Sequence, residues 1–166
     1  PLTPLSHLRR AAEVFSKTTA IVYGNYKKTY SEYYKRCTQL ASALADLGVK
    51  PGEVVATLIP NLPAQAEAHF GVPACGAVLN TINIRLDVST IAYIFDHGEP
   101  KVVLTDSQFI ELAEKACQKM DGKPPVIIEV PDKAAGFPAS GRYQTYEDFV
   151  NAGSAFYDRH MPKDEW

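Results

Sequence analysis

Apolar residues recur along this chain at two spacings, and the elements begin and end where one spacing gives way to the other. Leu5, Leu8, Ala12 and Phe15 lie three or four residues apart, the stripe of an amphipathic helix. Thr3-Pro4 ahead of them is a helix start: a capping hydroxyl, then a proline whose missing N–H goes unused there. Thr19–Tyr23 and Lys27–Tyr30 flank Gly24-Asn25, which predicts a small antiparallel hairpin. Ser31 is the expected cap of a longer helix with Tyr34, Cys37, Ala41, Leu44 and Leu47 on one face, stopped by Gly48.

From Glu53 onward the apolar residues come in short continuous runs: Val54–Ile59, Ala77–Asn80, Lys101–Thr105 and Pro125–Val130. Helical patterns separate them. Asn61 is read as the cap of the first, through Gln65, His69 and Val72 towards Cys75. Asp87 starts the second, with Ile91, Ile94 and Phe95 inward and His97-Gly98 at its close. Asp106 caps the third, through Ile110, Leu112, Ala113 and Cys117. Strands that are apolar throughout and alternate with helices predict a parallel sheet covered on both faces. Residues 53–130 are therefore read as β-α-β-α-β-α-β with right-handed crossovers. The fold class is α/β, a mostly parallel sheet flanked by helices, with an N-terminal helix and a small hairpin. Beyond a core of 31–130, residues 131–143 read as an exposed loop, Tyr146–Val150 as a short helix with Phe149 inward, and Asp158–Trp166 as a polar stretch with no closing element.

Composition narrows the class. Of 166 residues, 46% are hydrophobic and 22% charged, the balance of a soluble folded protein. Seventeen basic residues face nineteen acidic ones for a net charge of -2, with no block of either sign. No footprint for nucleic acid or an anionic membrane is expected. Apolar stretches are strand-length, well short of the roughly 20 residues of a membrane helix. Cys37, Cys75 and Cys117 are far apart and form no C-x-x-C pair, so reduced core thiols in a cytoplasmic protein are expected, without zinc or disulfides. The chain opens Pro1-Leu2-Thr3, without initiator methionine or signal-like segment, and is expected to be trimmed there.

Open parallel sheets bind ligands at the carboxyl ends of their strands, and phosphates there need glycine-rich turns. The turns Ile59-Pro60-Asn61, Asn80-Thr81-Ile82-Asn83 and Thr105-Asp106-Ser107 contain no glycine. Gly71 to Gly76 has the glycine spacing of a Walker loop, but Ala77 follows instead of lysine, and the segment precedes a strand. There is no G-x-S-x-G nucleophile turn. His69 lacks a second ligand at metal spacing, and His97 suits the negative end of its helix, so both are read as structural. Glu129 and Asp132, near lysines, read as a solvated face. One polar constellation remains, Asn80-Thr81-Ile82-Asn83-Ile84-Arg85-Leu86-Asp87, joining a strand end to a helix. Asn80 and Asn83 are suited to fixing the loop backbone. Arg85 would offer a planar fork to a phosphate or carboxylate. The alternative is that these residues only organise the turn and cap the helix.

Residues 71–86, from Gly71-Val72-Pro73 through Leu79-Asn80-Thr81 to Asn83-Ile84-Arg85-Leu86, resemble the second core motif of the adenylate-forming superfamily in its acyl-CoA synthetase branch. Lys28-Thr29-Tyr30-Ser31-Glu32-Tyr33 resembles the first. Leu40–Leu44, Leu47–Ala56, Pro60-Asn61 and the run from Ile91 to Leu104 agree in order, so the resemblance covers nearly all of residues 2–130. In flavour the chain is similar to short- and medium-chain synthetases, including those activating 3-(methylthio)propionate. The resemblance implies an AMP-forming ligase that joins a carboxylic acid to ATP, with Mg2+, and passes the acyl group to coenzyme A. It also implies that the chain is catalytically incomplete. The family's T-S-G-T-T-G-x-P-K-G loop is absent; in relatives it follows a segment resembling Pro162–Trp166, so the catalytic residues are expected beyond Trp166. By resemblance Arg85 contacts the phosphate-bearing nucleotide end of coenzyme A, and Asn80 and Asn83 organise that loop. No metal ligand is expected here. The hairpin edge at 19–30 would serve a homodimer or another lobe. The rival reading is a self-sufficient, non-catalytic α/β module that binds a ligand or a protein.

Overall fold

The computed structural model describes residues 3–160, so the expected Pro162–Trp166 segment lies outside the described residues. Helix α1 (Pro4–Val14) takes Pro4 as its first residue and buries Leu5 and Leu8. Its stripe is shorter than the spacing predicts: Phe15 has left the helix and is 57% exposed. Strands β1 (Thr19–Tyr23) and β2 (Tyr26–Thr29) form the antiparallel hairpin, with Gly24 at φ +55° in its turn. A left-handed residue at that corner favours glycine.

Helix α2 (Tyr30–Asp46) starts two residues before the expected Ser31 cap would allow. Its cap is Thr29, whose Oγ accepts the Glu32 N–H at 3.3 Å while the Glu32 carboxylate accepts the Thr29 N–H at 2.8 Å. This reciprocal box satisfies two N–H groups that the helix itself cannot. Leu40, Ala41 and Leu44 are wholly buried, whereas Leu47 lies past the last turn and is 43% exposed.

Strands β3 (Val54–Leu58), β4 (Val78–Thr81), β5 (Val102–Asp106) and β6 (Val126–Val130) make one parallel sheet of order β4-β3-β5-β6. Between them run α3 (Pro63–Ala74), α4 (Val88–Gly98) and α5 (Ile110–Lys119), and α6 (Tyr146–Ala152) follows. Side chains of a strand alternate between faces. Val55, Val102, Leu104, Ile128 and Val130 join a core with α2, α3 and α6; Ala56, Leu58 and Val103 join a second core with α4 and α5. Two buried faces explain why each strand reads as apolar throughout.

Three helix ends differ from expectation. Pro63 opens α3, which puts Leu62 at the N-cap with no side-chain bond and leaves Asn61 exposed one residue too early. Asp106 caps a single 3₁₀ turn, Ser107–Phe109, and α5 starts only at Ile110. Helix α4 ends at Gly98, but the left-handed residue is Glu99, at φ 44°.

Candidate functional site

The chain lays β4 on one side of β3 and then crosses to place β5 on the other, so the order reverses between β3 and β5. Carboxyl ends flanking such a reversal are where open sheets take ligands. On that side a cleft of about 570 Å³ lies between the hairpin, the start of α3, the segment after β6 and the start of α6. Of its charged lining, Arg36, Asp132 and Glu147 are engaged within the fold, and Lys133 is exposed. Arg36 donates from Nε to Glu67 at 2.5 Å and from its terminal nitrogens to Glu147 at 3.0 and 2.6 Å. Tyr146 donates its hydroxyl to the other Glu67 oxygen at 2.8 Å, and Tyr23 donates to Asp132 at 2.6 Å. Burial pushes the Glu67 carboxyl up, against the opposing pull of Arg36 and Tyr146. This network ties α2, α3 and α6 together.

Glu129 and Asp132 are not the solvated face their sequence suggests; they are 0% and 5% exposed. Glu129 accepts the Ser107 hydroxyl at 2.7 Å and both the N–H and hydroxyl of Ser140 at 2.8 Å. Asp132 accepts the N–H groups of Ala134 and Ala135 besides the Tyr23 hydroxyl. Together they strap the 131–143 loop onto the sheet edge. Asp106, also 0% exposed, accepts the Gln108 N–H at 2.9 Å, and its second oxygen has no partner among the described residues. Burial raises its pKa, and the nearby Asp132 and Glu129 carboxylates add to the rise.

The Asn80–Asp87 connection is built differently. Asn83 accepts the Arg85 N–H on its side-chain oxygen at 3.0 Å, closing a turn that fixes the Arg85 backbone. Leu86 N–H donates to the Asn83 carbonyl at 3.3 Å. Ile82 is buried beneath. Asp87 caps α4, accepting Ser89 N–H at 2.8 Å, Thr90 N–H at 3.2 Å and the Thr90 hydroxyl at 2.8 Å, and these bonds lower its pKa. Arg85 is exposed, and its guanidinium makes no hydrogen bond or ion pair among the described residues. Asn80 lies elsewhere: its amide nitrogen would be 3.2 Å from a Cβ at Gly98, the last residue of α4. The structure therefore brings Asn83, Arg85 and Asp87 into one turn and sets Asn80 against the far end of the helix. His69 is exposed, its Nδ1 2.7 Å from the Gln65 carbonyl, and His97 is exposed and stacks on Tyr93.

No cluster of three His, Cys, Asp or Glu among the described residues could hold a metal, and the turns after β3, β4 and β5 offer no glycine for close anion approach. Nor is any helix among them long and apolar enough to cross a membrane. Sequence reasoning missed the Arg36–Glu67–Tyr146 network, whose members stand 31 and 79 residues apart. No local pattern signals contacts at that separation.

The family described as AMP-binding enzyme matches residues 8–157. A peroxisomal acetate/butyrate–CoA ligase of Arabidopsis thaliana is 40% identical over 99% of this chain and 31% of its own length. An acetate–CoA ligase of Humulus lupulus is 39% identical over the same shares. The chain thus spans about a third of the length of the curated relatives it matches. Among solved structures, an anthranilate CoA ligase in complex with anthranoyl-AMP superposes with a TM-score of 0.82 at 21% identity, over 94% of this chain and 28% of that one. A benzoate CoA ligase from Burkholderia xenovorans gives 0.78 at 20%, over 93% and 29%. At such identities the structures show the shared fold.

Proposed function

Because this chain belongs to the AMP-binding enzyme family, we propose that it is the N-terminal segment of an acyl-CoA ligase, and that its functional contribution is a contact to coenzyme A from Arg85. The reading rests on the relatives, which are named as ligases of small carboxylic acids to CoA. It rests equally on one geometric observation: among the described residues Arg85 is an exposed guanidinium left unpaired on a loop whose backbone is held. An arginine fork suits phosphate, and a fixed backbone lowers the entropy lost when it binds. In this reading residues 31–130 are the core of the segment and 131–166 lead out of it. The groups that hold ATP and magnesium, and those that carry out adenylation, belong to other parts of the protein. A carboxylic acid, ATP and coenzyme A are the substrates. Buried thiols at Cys37 and Cys75 suit a reducing compartment such as the cytoplasm.

In the intact ligase, Arg85→Ala should raise the KM for coenzyme A while ATP–pyrophosphate exchange with the acid is unchanged. Hydrogen bonds to charged groups contribute about 1.5–3 kcal/mol, so about a tenfold rise or more is expected. An unchanged KM returns Arg85 to the role of a turn residue.

A further inference from the structure

A second cation stands at the same end of α4. Lys119, the last residue of α5, sends its ammonium back across the helix pair to donate to the Ser89 hydroxyl at 2.5 Å. Ser89 is the second residue of α4, in the turn that Asp87 caps two positions after Arg85. Lys119 is exposed and has no carboxylate partner among the described residues. A free lysine on a surface usually keeps its rotamer freedom, because fixing a chain of that length costs up to about 2 kcal/mol of entropy. Here a neutral hydroxyl tethers it, and its charge stays uncompensated. Asp87, the carboxylate belonging to that turn, commits both of its oxygens to Ser89 and Thr90.

We propose that Lys119 shares with Arg85 the recognition of the phosphate-bearing nucleotide end of coenzyme A, with Ser89 as the residue that positions its ammonium. The inference rests on the Arg85 reading above. The chemistry calls for a second cation: that end of the ligand carries a 3′-phosphate and a diphosphate, more negative charge than one guanidinium neutralises. Arginine supplies a planar fork and lysine a compact point charge, so the two serve different phosphate oxygens.

In the intact ligase, Lys119→Ala should raise the KM for coenzyme A about two- to fivefold, the range of an exposed charge contact. It should weaken inhibition by adenosine 3′,5′-bisphosphate by the same factor and leave kcat and ATP–pyrophosphate exchange unchanged. Lys119→Arg, which keeps the charge, should restore the KM, and Ser89→Ala should reproduce part of the Lys119→Ala rise. If Arg85→Ala raises the KM and Lys119→Ala does not, this inference fails and the Arg85 reading stands. If neither variant moves it, the reading itself fails and takes this inference with it. A Lys119→Ala enzyme that also loses exchange, or whose bisphosphate inhibition is unmoved, overturns the phosphate role.

Discussion

Replacing Arg36 with methionine tests whether the ionic network under the cleft holds the fold as its geometry implies. The Arg36 side chain is 11% exposed and that of Glu67 0%, so the substitution strands a carboxylate where water cannot reach it. Removing one partner of a buried pair costs about 3–5 kcal/mol, most of it the penalty on the charge left behind. The Tyr146 hydroxyl still donates to Glu67, which places the expected loss at the lower end, about 3 kcal/mol. For a chain of this size that is a fall in Tm of about 6–12 °C. The loss should depend on pH. Burial already holds the Glu67 carboxyl above its ordinary value of 4.5, and Arg36 is the chief group opposing the rise, so without Arg36 the pKa climbs further. A carboxyl with a raised folded pKa binds its proton more tightly folded than unfolded. Its stabilisation is full below the unfolded pKa and disappears as pH rises through the folded one. The Arg36→Met deficit should therefore be largest at about pH 8 and shrink towards about pH 5. Urea unfolding followed by far-UV circular dichroism at both pH values measures it. A deficit under about 1 kcal/mol, or one independent of pH, refutes the reasoning, since either would mean that Glu67 is solvated. The triple variant Arg36→Met, Glu67→Met, Tyr146→Phe removes the buried carboxylate and its two shortest partners, leaves only the longer-range Tyr26 hydroxyl and the exposed Glu147, and should recover most of the loss.

Gly153→Ala should destabilise the chain by about 1–3 kcal/mol. A Cβ there would lie 2.0 Å from the Gln39 carbonyl oxygen and 3.0 Å from the Ala43 nitrogen, both backbone atoms of α2 that cannot step aside; an unchanged urea midpoint would refute the clash. Glu129→Gln should loosen the strap over 131–143 by weakening the bonds from Ser107 and Ser140. Bonds to a charged acceptor contribute about 1.5–3 kcal/mol, so amide exchange across that loop should quicken about tenfold or more while exchange in β3 and β5 stays as it was.

The sheet was legible because burial on both faces writes itself into consecutive residues: Val55 and Ala56 point to opposite cores, and each is 0% exposed. The starts of α2, α3 and α4 were legible to within two residues, that of α5 only to within three because a 3₁₀ turn intervenes, and the errors have local causes. Thr29 and Glu32 stand at capping-box spacing, so the true start of α2 was present in the sequence, and choosing Ser31 overlooked it. Pro63 sets the start of α3 by its fixed φ, which outranks the capping side chain of Asn61. The buried carboxylates were not legible. Glu129 is satisfied by residues 22 and 11 positions away, and Asp132 by Tyr23, 109 positions away. A window of a dozen residues sees only acids beside lysines, which is also how a solvated face looks.

Charge engaged within this fold differs in kind from charge left exposed on it. A buried charge survives only when its hydrogen-bonding partners are supplied by the fold, and Glu67, Glu129 and Asp132 meet that condition through residues of other elements. Groups so fully engaged have nothing left to offer a ligand, however well placed they are at the carboxyl ends of the strands. Arg85 and Lys119 are the reverse: both are exposed and without a carboxylate partner among the described residues, Arg85 held only at its backbone N–H by Asn83 and Lys119 at its ammonium by Ser89. A neutral tether such as Ser89 orients an ammonium without neutralising it, and an unpaired guanidinium keeps its planar fork free for an anion. On the proposed reading the loop from Asn83 to Asp87 and the end of α5 supply the contact to coenzyme A, while the ionic network lining the cleft beside the hairpin holds α2, α3 and α6 together.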